Sequence, residues 1–195
     1  MDFRFECPHV APSMGSTQFA GDPDLIFLRE DLADELGAIV GYMECASQIK
    51  DYRISERFRE TAGDETGHYI LLMRLLASID PVQAEELKKQ GLVMLTGLQD
   101  QALPYGISGS CKGCFSPERS RRESSDHKFY PVDERILECL RNAIRDEFHA
   151  INAYQKQILA TANPAVQSLL AGIMNKEKEH VSEFTRIFYD LYHET

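Results

Sequence analysis

The sequence contains no hydrophobic run that approaches the roughly 20 residues needed to span a bilayer, and its opening residues lack the apolar core of a signal peptide. We therefore expect a soluble, cytoplasmic protein that makes no membrane contact. It also lacks an excess of basic residues, since 21 Lys and Arg stand against 31 Asp and Glu, a formal net charge of −10. Because this charge repels phosphate, it excludes nucleic acid as a general partner.

Cysteine is sparse. Five cysteines, an odd number at irregular spacing, do not form the pattern of a secreted disulfide framework. Cys45 and Cys139 lie within helical patterns and are interpreted as small buried hydrophobes. Cys111 and Cys114 form one isolated C-x-x-C, which fits a redox pair, part of a second metal site holding Zn or Fe, or two unconnected thiols.

The length and composition are those of one globular domain. The 195 residues are 43% apolar and 27% charged, which is enough apolar material to bury a core. We expect a single domain over residues 1–195, with an N-terminal extension at 1–22 and a crossover segment at 81–131. Helical periodicity marks 23–80 and 132–193, and each stretch is predicted to form a hairpin of two long helices, turning near Asp51 and near Asn163. The predicted class is all-α.

The crossover segment has its own pattern. Ala84, Leu87, Leu92, Leu95 and Leu98 predict one shorter amphipathic helix that ends before residue 104. From there to residue 131 the composition turns to Gly, Ser, Arg and Pro, which indicates a loop. A loop of this length is unusual inside a compact domain.

An internal repeat relates the two hairpins. Sliding the first hairpin onto the second by 112 residues aligns their apolar stripes without a gap. The stripes carry polar residues of the same type at the same places, and chance gives each such match at roughly 6% per position. Glu35 and Tyr42 of the leading helix fall on Glu147 and Tyr154, and Glu65 and His68 of the trailing helix fall on Glu177 and His180.

The four glutamates are predicted to share one level of the bundle. The two glutamates of each hairpin are 30 residues apart and their midpoint falls beside the predicted turn, so both lie at the same height. Unpaired buried carboxylates cost many kcal/mol, whereas two divalent cations would balance four negative charges. Oxygen-rich ligation with one imidazole per ion favours Fe or Mn over structural Zn. The alternative is a polar core layer held by hydrogen bonds alone.

These residues resemble the metal-binding motif of ferritin-like di-iron carboxylate proteins, in which two helices each give a Glu and two others each give Glu-x-x-His. The similarity is nearest to rubrerythrins. It implies a ferritin-like four-helix bundle with a long, left-handed crossover connection, a centre of two Fe ions (or Mn), and chemistry with hydrogen peroxide or dioxygen. The metal ligands that it implies are Glu35, Glu65, His68, Glu147, Glu177 and His180.

The resemblance also covers two tyrosines, Tyr42 and Tyr154, which match tyrosines that often lie beside the centre; they are the candidate catalytic residues, and each is expected to donate a hydrogen bond to a ligand carboxylate. Plain core packing is the alternative interpretation. The sequence departs from rubrerythrins in two respects: Ile144 and Ala150 stand where an additional glutamate ligand would be, and there is no rubredoxin domain. The second departure implies an external electron donor.

The leading functional hypothesis is a non-haem di-iron or di-manganese oxidoreductase, a rubrerythrin-like peroxidase or ferroxidase that works as a homodimer. Two alternatives remain open. One is ferritin-type iron storage, which requires a large hollow oligomer. The other is a metal-stapled bundle that binds a partner protein.

Overall fold

The structure, a computed structural model, describes residues 22–96 and 133–193. The described chain is helical, which confirms the predicted all-α class and the two hairpins. The first hairpin is α1 and α2, the second is α4 and α5, and the short α3 follows the first. The helices are α1 Pro23–Gln48, α2 Tyr52–Ile79, α3 Pro81–Lys89, α4 Glu134–Ala160 and α5 Pro164–His193.

Each of these helices begins where a short polar side chain accepts hydrogen bonds from backbone N–H groups of the first turn. Such caps satisfy donors that have no partner within the helix. Three of the helices also have proline at the first position, where its missing N–H costs nothing. The capping residues are Asp22, Asp51, Asp80, Asp133 and Asn163.

The short helix of the crossover segment ends earlier than predicted. Instead of continuing past Leu92, α3 ends at Lys89, and a single 3-10 turn follows at Val93–Leu95. Gly91 explains the break, since it has a φ of +76° that favours glycine. The Leu92 N–H donates to Leu87 O, a pairing that closes the helix and diverts the chain.

Most of the buried core belongs to two large apolar clusters, and a small third one lies where α3 packs on α2. The residues of the first cluster follow Glu35 on α1 and precede Glu65 on α2. The residues of the second cluster precede Glu35 and follow Glu65. The layer of glutamates therefore lies between the two clusters. Fully burying one such Leu or Phe side chain contributes about 1.5–3 kcal/mol. The first cluster includes Phe58, Leu140 and Phe184, and the second includes Leu28, Leu72 and Leu170.

The leading helices of the two hairpins are joined covalently. Cys45 near the end of α1 and Cys139 near the start of α4 form a disulfide, with Cα atoms 5.9 Å apart. The interpretation of these cysteines as small buried hydrophobes is confirmed for Cys139, which lies in the core, and Cys45 is partly buried against the same cluster, but the interpretation did not include the bond between them. The antiparallel packing of α1 on α4 brings them together across 94 residues of sequence, and spacing along the chain does not reveal such a pairing.

No helix within the described ranges is long and apolar enough to cross a membrane. The cytoplasmic location stays a prediction. The N-terminal extension, the loop of the crossover segment and Cys111 with Cys114 lie outside the described residues.

Candidate metal centre

Four helices bring six ionisable side chains to one buried layer. The leading helices α1 and α4 each give one glutamate, and the trailing helices α2 and α5 each give a glutamate and a histidine one turn later. Each of the six is at most 4% exposed to solvent. They are the six predicted ligands, Glu35, Glu65, His68, Glu147, Glu177 and His180.

One half of the layer is organised around His68. Its Nδ1 atom lies 2.8 Å from Glu65 Oε2, 3.1 Å from Glu177 Oε1 and 3.6 Å from Glu35 Oε1. These three carboxylates come from three different helices. Together with the imidazole nitrogen they give one nitrogen and three oxygen atoms within 4.8 Å of one another, which is enough to surround one cation.

The other half repeats this arrangement around His180. Its Nδ1 atom lies 2.9 Å from Glu177 Oε2, 3.1 Å from Glu65 Oε1 and 3.4 Å from Glu147 Oε1. Again the group contains one nitrogen and three carboxylate oxygens within 4.8 Å. The two halves thus have the same donor set, as the internal repeat requires.

Glu65 and Glu177 belong to both halves. Each directs one carboxylate oxygen toward His68 and the other toward His180. Glu65 Oε1 and Glu177 Oε1 are buried and lack a properly aligned hydrogen-bond donor among the described residues. A buried acceptor without a partner costs about 1–3 kcal/mol, and more when it is charged. The residues therefore fit a pair of cations, and Glu65 and Glu177 would contribute to holding both.

Two tyrosines link the hairpins across this layer. The Tyr42 hydroxyl of α1 donates to Glu147 Oε1 at 2.6 Å, and the Tyr154 hydroxyl of α4 donates to Glu35 Oε1 at 2.5 Å. Both tyrosines are buried. The Tyr42 ring also packs against the rings of Phe58 and Phe184, with centroids 6.0 and 5.6 Å away. Tyr42 thus packs in the core and donates to a candidate ligand.

The metal-free layer balances its charge with protons. Burial opposes the charged form of His68, but contacts with Glu177, Glu35 and Glu65 outweigh it and raise its pKa to about 12. His180 behaves in the same way, since burial is outweighed by contacts with Asp64 and with carboxylates of the layer, and its pKa is raised. Both imidazoles are therefore cationic when no metal is bound.

Three of the glutamates have shifted pKa values, two raised and one lowered. Burial raises the pKa of Glu35 to about 8 and that of Glu147 to about 7, so each is partly protonated at neutral pH. Burial also opposes ionisation of Glu65, but its close contacts with the His180 and His68 imidazoles prevail and lower its pKa to about 2. Glu65 thus stays charged at neutral pH. Metal ions entering this layer would replace protons on both sides.

One histidine of the layer, His180, also contacts a residue outside the six candidate ligands, which the sequence did not reveal. Asp64 Oδ2 lies 3.4 Å from His180 Nε2, the contact that typically orients a metal-binding imidazole. That hydrogen bond with His180 also lowers the pKa of Asp64. The corresponding residue of the repeat is Lys176, so the periodicity gave no signal for Asp64. Asp31 and Gln157 could have been noticed in the sequence, because each is a polar residue on a buried face of its helix.

A cavity of about 690 Å³ between α1 and α4 reaches the layer from the surface. Its lining includes four of the six candidate ligands and both disulfide cysteines. Gly37 and Gly41 form part of its α1 wall, and neither has a heavy atom within 4 Å of the position that a Cβ would take. This cavity gives a small molecule or an ion a route to the buried carboxylates.

Comparisons with models of protein families, with curated proteins and with solved structures found no match for this chain.

Proposed function

We propose that this chain is a ferritin-like oxidoreductase that binds two redox-active metal ions and uses them to reduce hydrogen peroxide or dioxygen. The observation that carries the proposal is the pair of buried four-residue groups that share Glu65 and Glu177. Two separate cation sites would not share residues. Two sites with common bridging carboxylates hold their ions close enough to act on the same small molecule.

The charge of the layer supports two divalent ions. Four carboxylates carry four negative charges, and two divalent cations with neutral imidazoles cancel them. Three oxygen donors and one nitrogen donor per ion suit Fe or Mn, whereas structural Zn sites are typically closed sets of Cys and His. Bound Fe(II) or Mn(II) ions would supply electrons to the O–O bond of the oxidant.

The residues of the chain have three roles in this proposal. Glu65 and Glu177 hold both ions, while Glu35 with His68 and Glu147 with His180 complete one half each. Tyr42 and Tyr154 hold the non-bridging carboxylates in position. The hydrophobic clusters on either side exclude bulk water, and the cavity between α1 and α4 admits the oxidant. An external donor returns electrons after each turnover.

Metal content and oxidation test this proposal together. The purified protein, loaded anaerobically with Fe(II), is expected to hold two ions per chain and to oxidise them when peroxide or oxygen is added. Anomalous scattering at the Fe and Mn absorption edges would identify the ions in a crystal. A protein that binds no Fe(II) or Mn(II), or that binds them and does not react with either oxidant, would refute the proposal.

Single substitutions test the same proposal further. Because the two halves share Glu65 and Glu177, a variant at a shared ligand should affect both ions, whereas a variant at an unshared ligand should affect one. Glu147→Ala removes a ligand of the His180 half and is expected to reduce the metal content toward one ion per chain. Glu177→Ala removes a bridging ligand and is expected to abolish tight binding of both ions. Glu179→Ala, on the same helix with its side chain 62% exposed, is the matched control and keeps two.

A further inference from the structure

Asp31 of α1 and Gln157 of α4 form a second polar contact between the leading helices, outside the metal layer. Gln157 Nε2 donates to Asp31 Oδ1 at 2.8 Å. The two residues are only 2% and 6% exposed. Since Asp31 lies on the core face of α1, its carboxyl group has little access to solvent that would stabilise a negative charge.

The other oxygen of each side chain has no hydrogen-bond partner. Asp31 Oδ2 and Gln157 Oε1 are both buried, and both lack a donor among the described residues. Two unpartnered acceptors on side chains that already share one hydrogen bond point to a missing proton between them. If Asp31 is a neutral acid, its Oδ2–H can donate to Gln157 Oε1, and one proton satisfies both atoms.

We propose that Gln157 holds Asp31 as a neutral carboxylic acid and that this acid–amide pair is a proton reserve for the metal centre. Electrostatics agree with the geometry. Burial raises the pKa of Asp31 to about 7; the hydrogen bond from Gln157 opposes the increase, and the charges of Asp34 and Glu30 add to it.

The surroundings of the pair contain few charges that would favour an ionised Asp31. Glu30 and Asp34 on α1 are negative, and Tyr154 of α4 is neutral because burial and the neighbouring Glu35 carboxylate raise its pKa. Helix α2 contributes Tyr69 to the cluster at this end of the bundle, and α5 contributes apolar residues such as Leu170.

The pair lies beside one half of the layer only. Asp31 is one helical turn before Glu35, and Gln157 is about one turn after Tyr154, which donates to Glu35. In the repeat, Asp31 and Gln157 correspond to Ala143 and Cys45, and Cys45 is engaged in the disulfide. The chain therefore has this acid on the Glu35 side and a cross-link on the other side.

The reserve role rests on the proposed function. Reduction of one hydrogen peroxide to two waters takes up two electrons, which bound metal ions would provide, and two protons, which must come from groups beside the layer and from solvent. The proton on Asp31 Oδ2 supplies one of these to the Glu35 side, and solvent that enters through the cavity between α1 and α4 supplies the other. Solvent later returns a proton to the Asp31 carboxylate, which restores the pair.

The pair itself is tested on the metal-free protein by NMR of isotope-labelled aspartate carboxyl carbons, which excludes signals from the glutamates. The Asp31 resonance, assigned by its loss in Asp31→Asn, is expected to titrate near pH 7. Asp31→Asn should keep the wild-type denaturation midpoint at pH 6, because its amide can donate to Gln157 Oε1 and accept from Nε2, whereas Asp31→Leu should lower it. Titration of Asp31 in the ordinary range, or equal losses in both variants, would overturn the pair.

The reserve role is tested on the metal-loaded protein by rapid mixing with peroxide. Asp31→Asn is expected to bind two ions like the wild type, to oxidise them at least about tenfold more slowly, and to lack the decline in rate that the wild type shows above pH 7. An unchanged rate would overturn the reserve role and leave the proposed function standing. A wild-type protein whose bound metal does not react would refute both, while the metal-free titration would still decide the state of Asp31.

Discussion

Each of the two buried tyrosines holds a carboxylate of the opposite hairpin. Tyr42 donates from α1 to Glu147 of α4, and Tyr154 donates from α4 to Glu35 of α1. Removing a hydroxyl that holds a ligand carboxylate in position typically lowers the metal affinity. Removing a hydroxyl whose hydrogen bond only stabilises the core does not. The two roles are therefore separable by experiment.

Tyr42→Phe keeps the ring in its aromatic cluster and removes only the donor to Glu147. We expect the affinity for the metal in the His180 half to fall about tenfold, in line with the usual effect of losing a group that supports a ligand. Titration of Fe(II) under anaerobic conditions measures this change. Tyr52→Phe is the control, because Tyr52 is 73% exposed. Equal affinities in the two variants would leave Tyr42 with a packing role.

The candidate ligands were readable from sequence because of a simple physical rule. A glutamate on an otherwise apolar stripe needs a compensating partner, and the repeat showed four such residues with two histidines. The bridging of Glu65 and Glu177 was not readable, since it depends on side-chain orientation within the layer. Asp64 and the Asp31–Gln157 pair depend on contacts between hairpins, which spacing along one helix does not reveal.

The turn of each hairpin could be predicted from the capping residue that begins its second helix. Asp51 and Asn163 begin α2 and α5 through hydrogen bonds to their own first turns, so local sequence is sufficient. The extent of α3 was predicted less well because one residue with a positive φ, Gly91, overrode a leucine pattern that continued to Leu98. The disulfide could not be predicted, because the two cysteines come together only through the packing of α1 on α4.

The Cys45–Cys139 bond joins two helices that have a cavity between them, so its reduction should loosen the bundle. Closing a chain segment of 94 residues restricts the unfolded state, and such bonds typically contribute about 2–4 kcal/mol. We expect a reductant to lower the urea midpoint of the wild-type protein accordingly. In the Cys45→Ala/Cys139→Ala double variant the reductant should have no effect. Identical wild-type midpoints with and without reductant would contradict this expectation.

The α1 wall of the cavity offers a way to close the route to the metal layer. Gly41 lines the cavity and has open space around its Cβ position, so Gly41→Leu is expected to fill part of the cavity without a backbone clash. Metal loading and oxidation should slow by about tenfold or more, while the final metal content stays at two ions. Stopped-flow absorbance measures both rates.

Gly63→Leu is the matched control for the cavity variant. Gly63 is a helical glycine on α2 with equally open space at its Cβ position, and it is not among the residues that line the cavity. Both variants gain helix propensity, since leucine is more favourable than glycine in a helix by about 0.8 kcal/mol. If Gly41→Leu and Gly63→Leu load at the same rate, the ions enter by another route.

For the whole molecule, the metal layer links stability to pH. In the metal-free protein Glu35, Glu147 and His68 all have pKa values that folding raises, to about 8, 7 and 12. A group with a raised pKa binds its proton more tightly in the folded state, so its stabilising contribution is complete below the unfolded pKa and is lost as pH rises through the folded value. Glu65 and Asp64, whose pKa values are lowered, contribute in the opposite sense, and the contribution of Glu65 is lost as pH falls from 4.5 to about 2.

The metal-free protein should therefore be most stable near pH 5 and should lose stability as pH rises to 8. We expect its thermal midpoint to fall by at least about 5 °C over this range, since 1 kcal/mol corresponds to about 2–4 °C for a chain of this size. Fe(II) or Mn(II) should reverse the trend, because the ions replace the protons that are lost and bind more tightly at high pH. Calorimetry with and without metal at pH 5 and pH 8 measures both effects. A metal-induced increase that is larger at pH 5 would contradict the proposed exchange of protons for cations in the Glu65–Glu177 layer.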